Sequence, residues 1–213
     1  MSKSSTCDYQ HHIFLSYRRS DENWIKWTKV NFCNALESLL RIRLGPISIF
    51  IDESIETNSS WPANLALNLA RSRLFIPVLS RDYFYSEWCK LEMGLMCARE
   101  KAANLRSAQN PYGLIIPVVI DDGETFPKEI QEMQSLFLHD FANPYIRTDS
   151  TKQEELAELL KSEICPTIES ALKIVPPYDP AWESYAQKHF EHKFDVVMQS
   201  QTKLPSIELP KLP

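Results

Sequence analysis

The chain has 213 residues, 44% of them hydrophobic and 24% charged, with a formal net charge of −5. These values suit one globular domain with a full core, with or without an appendage, and they offer no broad basic surface for nucleic acid. No run reaches the ~20 apolar residues of a membrane span, and the first 12 residues, MSKSSTCDYQHH, lack the apolar centre of a secretion signal, so a cytoplasmic protein with no membrane contact is expected.

Along the chain, HIFLSYRR (12–19) reads as a buried strand that emerges into solvent at two arginines. Ser20 and Asp21 are N-cap candidates for a helix over 21–43, whose Ile25, Phe32, Leu36, Leu39 and Leu40 share one face. Gly45-Pro46 ends it. ISIFID (47–52) is a second buried strand, followed by the polar loop ESIETNSS (53–60). Ser59 or Ser60 can cap the short helix WPANLALNLARS, with Pro62 in its first turn, where a missing N–H costs nothing.

RLFIPVLS (73–80) is the third strand, and a helix runs from Ser86 to about 105. GLIIPVVIDD (113–122) is the fourth strand and SLFLHDF (135–141) a weaker fifth. TKQEELAELLKSEICPTIESALKI (151–174) closes as a helix, bent near Pro166. Strands alternating with helices predict a parallel sheet covered on both faces, with right-handed crossovers. Ligands of such sheets bind outside the carboxyl ends of the strands. That selects 17–21, 52–60, 80–92 and 121–125 as one rim.

Pro176-Pro177 marks a boundary. The expected division is a disordered 1–9, a domain over 10–175, and a helical extension with a proline-rich tail over 176–213. Trp182, Tyr185, Phe190 and Phe194 recur at near-helical spacing, as in a helix docked on its own domain. The last stretch, LPSIELPKLP, is a short docking segment or disordered.

GxGxxG, GxxxxGK[ST], GxSxG and HExxH are all absent, which removes the common phosphate-cradle, hydrolase-elbow and metalloprotease readings. The five cysteines are scattered without a CxxC pair, so neither a zinc site nor a disulfide frame is indicated. Cys7, His11 and His12 read as a terminal tail rather than a metal cluster. Asp121-Asp122 reads as a solvated strand-end turn, and Cys89, with no histidine near it in sequence, as a small hydrophobe rather than a nucleophile. No metal or cofactor is expected.

Three segments stand on the rim: FLSYRRSD, FIDESIE and LSRDYFYSEWCKLEM. Together they resemble the Toll/interleukin-1 receptor (TIR) domain. The family pattern is close to S-x-x-Y-x-x-S-x-W-C-x-x-E-[LM]. Ser80, Tyr83, Ser86, Trp88, Cys89, Glu92 and Met93 match it without a gap. The likeness covers roughly 10–175 and is strongest to bacterial and plant members. The loop 53–60 departs from it, because it lacks the glycine usual there.

The resemblance implies a flavodoxin-like three-layer α/β sandwich around a central five-stranded parallel sheet. Many TIR domains cleave the nicotinamide–ribose bond of NAD+, and the resemblance gives the catalytic glutamate as Glu92. Trp88, four residues earlier on the same helical face, can wall off and desolvate that carboxylate. Ser16 and Tyr17 line the pocket in this reading, or else Ser16 is inward-facing filler. Arg18 and Arg19 contact the pyrophosphate, or else form a solvated strand end paired with Asp21 or Glu22. Asp52 and Glu53 touch ribose, or else cap the loop. Ser86 is the helix N-cap and lies near the ligand.

The implied product is linear or cyclic ADP-ribose. A nearly free-standing domain resembles the anti-phage, Thoeris-type kind, with a separate effector or sensor protein as partner. The other class of function is a scaffold that only assembles with other TIR domains. A glutamate within SxWCxxE favours the enzyme. Self-association through TIR–TIR contacts is expected in either case.

Overall fold

The computed structural model describes residues 8–52, 61–106, 113–121 and 126–201, with side chains for all of these except Trp61 and 192–201. Cys7, Glu53, the loop 53–60 with Ser59 and Ser60, Asp122 with the rest of its turn, the Phe194 side chain and the segment 204–213 lie outside the described residues.

Five strands form one parallel sheet in the order β2-β1-β3-β4-β5. β1 (His11–Tyr17) pairs with β2 (Ile49–Ile51) on one side and β3 (Ser72–Leu79) on the other; β4 (Val118–Val119) and β5 (Leu136–Phe137) follow. Ile13, Phe14 and Leu15 of β1 are buried, as are Leu74 to Ile76 of β3. Such all-round burial explains why these two strands read as continuous apolar runs. β2 is half-buried throughout rather than buried as its apolar run suggested, because it is an edge strand.

The helix predicted over 21–43 is continuous but not uniform. α1 (Glu22–Lys26) and α2 (Asn34–Leu44) are joined by a π-helical stretch, Trp27–Cys33. Asp21 caps it, its carboxylate accepting from the N–H groups of Asn23 and Trp24. Gly45 ends it at φ 80°, a left-handed backbone that glycine takes without strain. A second π stretch, Leu160–Ile164, joins α6 (Thr151–Leu159) to α7 (Cys165–Ile174) just before Pro166. A proline that withholds its N–H and crowds the preceding turn explains a widened turn there.

α3 (Trp61–Ala70), α4 (Glu87–Ala103) and α8 (Ala181–Gln201) form one helical layer, and α2 packs with α7 in another. Right-handed crossovers dictate this: the step from β1 to β2 runs opposite to the steps from β2 to β3 and from β3 to β4. One helix was missed, the short α5 (Lys128–Gln131) between β4 and β5.

The fourth strand is shorter than expected. Leu114 and Ile116 bond to Phe75 and Ile120 bonds to Leu79, so the segment follows β3, but Pro117 has no N–H to give the ladder. Glu100 anchors that segment. Its buried carboxylate accepts from Arg106 and from the Ile115 N–H at 2.8 Å. A Cβ on Gly113 would come within 1.9 Å of Glu100 Oε1, so the chain needs glycine there to pass the carboxylate.

His11 and His12 are strand residues, not part of a tail. His11 bonds Ser48 and Asn68 through its two ring nitrogens, and His12 Nδ1 accepts from the Ser48 N–H. Among the described residues no group of three or more His, Cys, Asp or Glu side chains is placed to hold a metal ion, and no helix is long and apolar enough to cross a membrane.

Candidate active site

The site grows from the carboxyl end of β1 and the first turns of α4. Alternation along β1 turns Ser16 inward, where it is 2% exposed. The chain leaves β3 through Ser80, makes a single 3₁₀ turn over Tyr83–Tyr85, and enters α4 at Ser86. Ser86 has extended backbone (φ −84°, ψ 120°) and its hydroxyl accepts from the Cys89 N–H, so it is the N-cap. One and a half turns later, Glu92 points back under β1.

Glu92 is 6% exposed and Tyr83 is fully buried. Ser16 Oγ donates to Glu92 Oε2 at 2.5 Å, and the Tyr83 hydroxyl lies 2.7 Å from the same Ser16 oxygen. With Glu92 ionised, the donors run Tyr83 to Ser16 to Glu92. Burial pushes the Glu92 pKa up to about 8; the Ser16 hydrogen bond opposes this, Asp52 adds to it, and Arg19 opposes it again. The resting side chain therefore holds its proton at neutral pH.

Ser16, Tyr17, Arg18, Arg19, Asp52, Ser86, Trp88 and Glu92 line one cleft. It is narrow, enclosing about 40 Å³, room for ordered water as it stands, so a nucleoside reaches Glu92 only when the walls of the cleft part. The arginines pair differently from the expectation of Asp21 or Glu22. Arg19 lies 3.3 Å from Asp52 across the β1–β2 edge, and Arg18 lies 3.7 Å from Asp82. Cys89 is 5% exposed, and burial pushes its thiol up to about 12. It packs as a hydrophobe, and its sulfur is a thiol rather than a nucleophilic thiolate at neutral pH.

A sequence model described as TIR domain matches residues 13–160. The chain belongs to the TIR domain family. No curated protein matches it. As a family, TIR domains serve in signalling or NADase-type roles and commonly self-associate; the parallel five-stranded sheet is the TIR fold.

In this TIR domain two features of the site escaped the sequence. Tyr83 was visible in the S-x-x-Y spacing, but a 3₁₀ turn has no amphipathic period to show that its hydroxyl turns inward onto Ser16. Asp82 was silent as well. It accepts from Ser20 and Ser80 and faces Arg18, so it holds the two loop ends together. Burial raises its pKa, yet those two hydroxyls and the guanidinium outweigh burial and hold it below the usual carboxylate range.

Proposed function

We propose that this TIR domain cleaves the nicotinamide–ribose bond of NAD+ in the cytoplasm, with Glu92 as the catalytic residue. The observation that carries the reading is a buried carboxylate, held by Ser16, opening into a cleft walled by Trp88 and flanked by Arg18 and Arg19.

One carboxylate suffices for this reaction. The C1′–N bond breaks with its electron pair going to the pyridinium nitrogen, so nicotinamide leaves as a neutral molecule and needs no general acid. The positive charge moves to the ribose as an oxocarbenium-like state. A carboxylate fixed beside that ribose opposes the developing charge, and preorganised electrostatics of this kind supplies a large share of enzymatic rate enhancement. Water captures the cation to give ADP-ribose and a proton; an acceptor within the same molecule gives a cyclic product instead. A cationic substrate beside Glu92 favours its ionised form and offsets the burial that holds the proton in the empty site. Bacterial anti-phage signalling, with the product read by a separate effector and activity completed by TIR–TIR association, is the biological role this chemistry fits.

Purified protein at high concentration, incubated with NAD+, releases nicotinamide, and Glu92→Ala does not; chromatography of the nucleotide product separates hydrolase from cyclase. Equal release by both proteins rejects Glu92, and release by neither, with the chains crosslinked into oligomers, favours a scaffold. The pH profile is a second test. Since kcat/KM reports the free enzyme, it should climb with pH and level off near pH 8, where Glu92 loses its proton. A kcat/KM flat from pH 5 to 8 would mean that no buried carboxyl has to ionise.

A further inference from the structure

A second cleft adjoins the first. It encloses about 470 Å³ and shares Tyr17 and Arg18 with the Glu92 cleft. Its place is set by topology. With strand order 2-1-3-4-5 the sheet is built in one direction from β1 to β2 and in the other from β3 onward, so the loops part between β1 and β3. That switch point is where open parallel sheets accept ligands. Ser20 after β1, Ser80 after β3 and Asp121 after β4 all face the cleft there.

Its chemistry differs from that of a phosphate cradle. Among the described residues, Arg18 and Arg81 are the two cations on its wall, and Asp21, Asp82 and Asp121 stand against them. Arg81 lies 3.3 Å from Asp121. A phosphoryl group meets no surplus positive charge here. An uncharged, hydroxyl-rich ligand meets carboxylate and serine oxygens that accept from a vicinal diol or an exocyclic amine, and the rings of Trp24 and Tyr85 offer flat apolar surface to a base. The volume lies within the range of ligand-binding clefts, whereas the Glu92 cleft alone is far too small for a dinucleotide.

Arg18 sits at the seam. Its Nε is buried without a hydrogen-bond acceptor, Asp82 standing at 3.7 Å. A guanidinium donor at that point suits the diphosphate linking two nucleosides.

We propose that the cleft between the ends of β1, β3 and β4 is the subsite for the second, uncharged nucleoside of a dinucleotide whose nicotinamide riboside half lies against Glu92. The inference rests on the NAD+ reading above. It adds that the substrate crosses the carboxyl edge of β1, bends at Arg18, and places its adenosine between Trp24 and Tyr85.

AMP is the probe, because it carries the adenosine and one phosphoryl group without the reacting bond. AMP should bind the full-length protein, by calorimetry, and inhibit nicotinamide release competitively with NAD+. Two substitutions address the cleft without touching the core. Tyr85→Ala removes a ring that is 75% exposed, and Tyr85→Asp puts a small anionic side chain in its place. Each should weaken AMP binding and raise KM for NAD+ by about tenfold, the scale of one lost base–aromatic stack, while kcat stays nearly unchanged, the pattern of lost uniform binding. Nicotinamide mononucleotide, which lacks the adenosine, should be turned over equally by wild type and both variants. AMP affinity indifferent to both substitutions overturns the proposal. Should the wild-type protein bind AMP in this cleft and lose it on substitution, yet release no nicotinamide, the NAD+ reading fails and the nucleoside site stands.

Discussion

Glu92→Gln is expected to lose nicotinamide release by about a thousandfold, the scale of removing one preorganised electrostatic group, and at the same time to unfold at a higher temperature than wild type at pH 8. Both effects come from one cause. The carboxyl pKa stands at 4.5 in the unfolded chain and at about 8 in the fold, because burial penalises the charge. Between those values the folded state binds more protons than the unfolded state, so stability falls as pH rises. The contribution is intact below pH 4.5, is lost progressively through the window, and is gone above pH 8. A shift of this size amounts to a few kcal/mol, and glutamine is neutral at every pH while keeping the shape and an oxygen for Ser16. The gain should be several degrees at pH 8 and should vanish at pH 4.5. Thermal melts at the two pH values, beside the nicotinamide assay, check it. A variant that melts below wild type at pH 8 would show that the resting carboxylate is ionised and satisfied, and the account of a charge penalised by burial would fall. Stability given up at a functional group is a common trade in enzymes.

The site was legible where chemistry and spacing coincide. Trp88 and Glu92 lie four residues apart on one helix, and the parallel sheet predicted that Arg18, Asp52 and Glu92, far apart in the chain, would meet at one rim. The strands β1 and β3 were legible because burial on both faces leaves an unbroken apolar run. The same signal misled at β2, since an apolar run does not report which strand is at the edge, and at 113–122, where Pro117 breaks the ladder within a sequence that is otherwise strand-like. The π turns at Trp27–Cys33 and Leu160–Ile164 were invisible, because one extra residue in a turn barely disturbs the period of a long helix. Tyr83 and Asp82 were missed for a different reason. Their roles depend on which way a short irregular connection turns, and such a connection carries no period at all.

Phe190→Ala is expected to destabilise the fold by about 3–5 kcal/mol, a drop of roughly 10 °C in Tm, and to raise KM for NAD+ as well. Phe190 belongs to α8, beyond the residues that match the family, yet it is fully buried, as is Ala186 one turn before it. The helix lies along α3 and touches α4. Its start is fastened by Glu183, which accepts from Arg71 Nε and Nη2 at 2.8 and 2.9 Å and also from the Tyr178 hydroxyl. Tyr9 donates to the Pro176 carbonyl and sets its ring edge-on to Tyr178, so the segment before β1 and the segment after α7 fasten to each other. The Phe190 ring stands 6.3 Å from that of Trp88, which lines the Glu92 cleft. Truncating Phe190 leaves a cavity behind the indole, and a looser indole no longer holds water away from the carboxylate. Intrinsic fluorescence should redden as Trp88 gains solvent. Tyr185→Ala, on the same helix but 49% exposed, is the control and should change stability by less than about 0.5 kcal/mol. If Phe190→Ala melts with wild type, α8 does not dock in solution, and the extension has no hold on Trp88. If it melts early but keeps the wild-type KM, the helix supports the fold while the cleft is set by β1 and α4 alone.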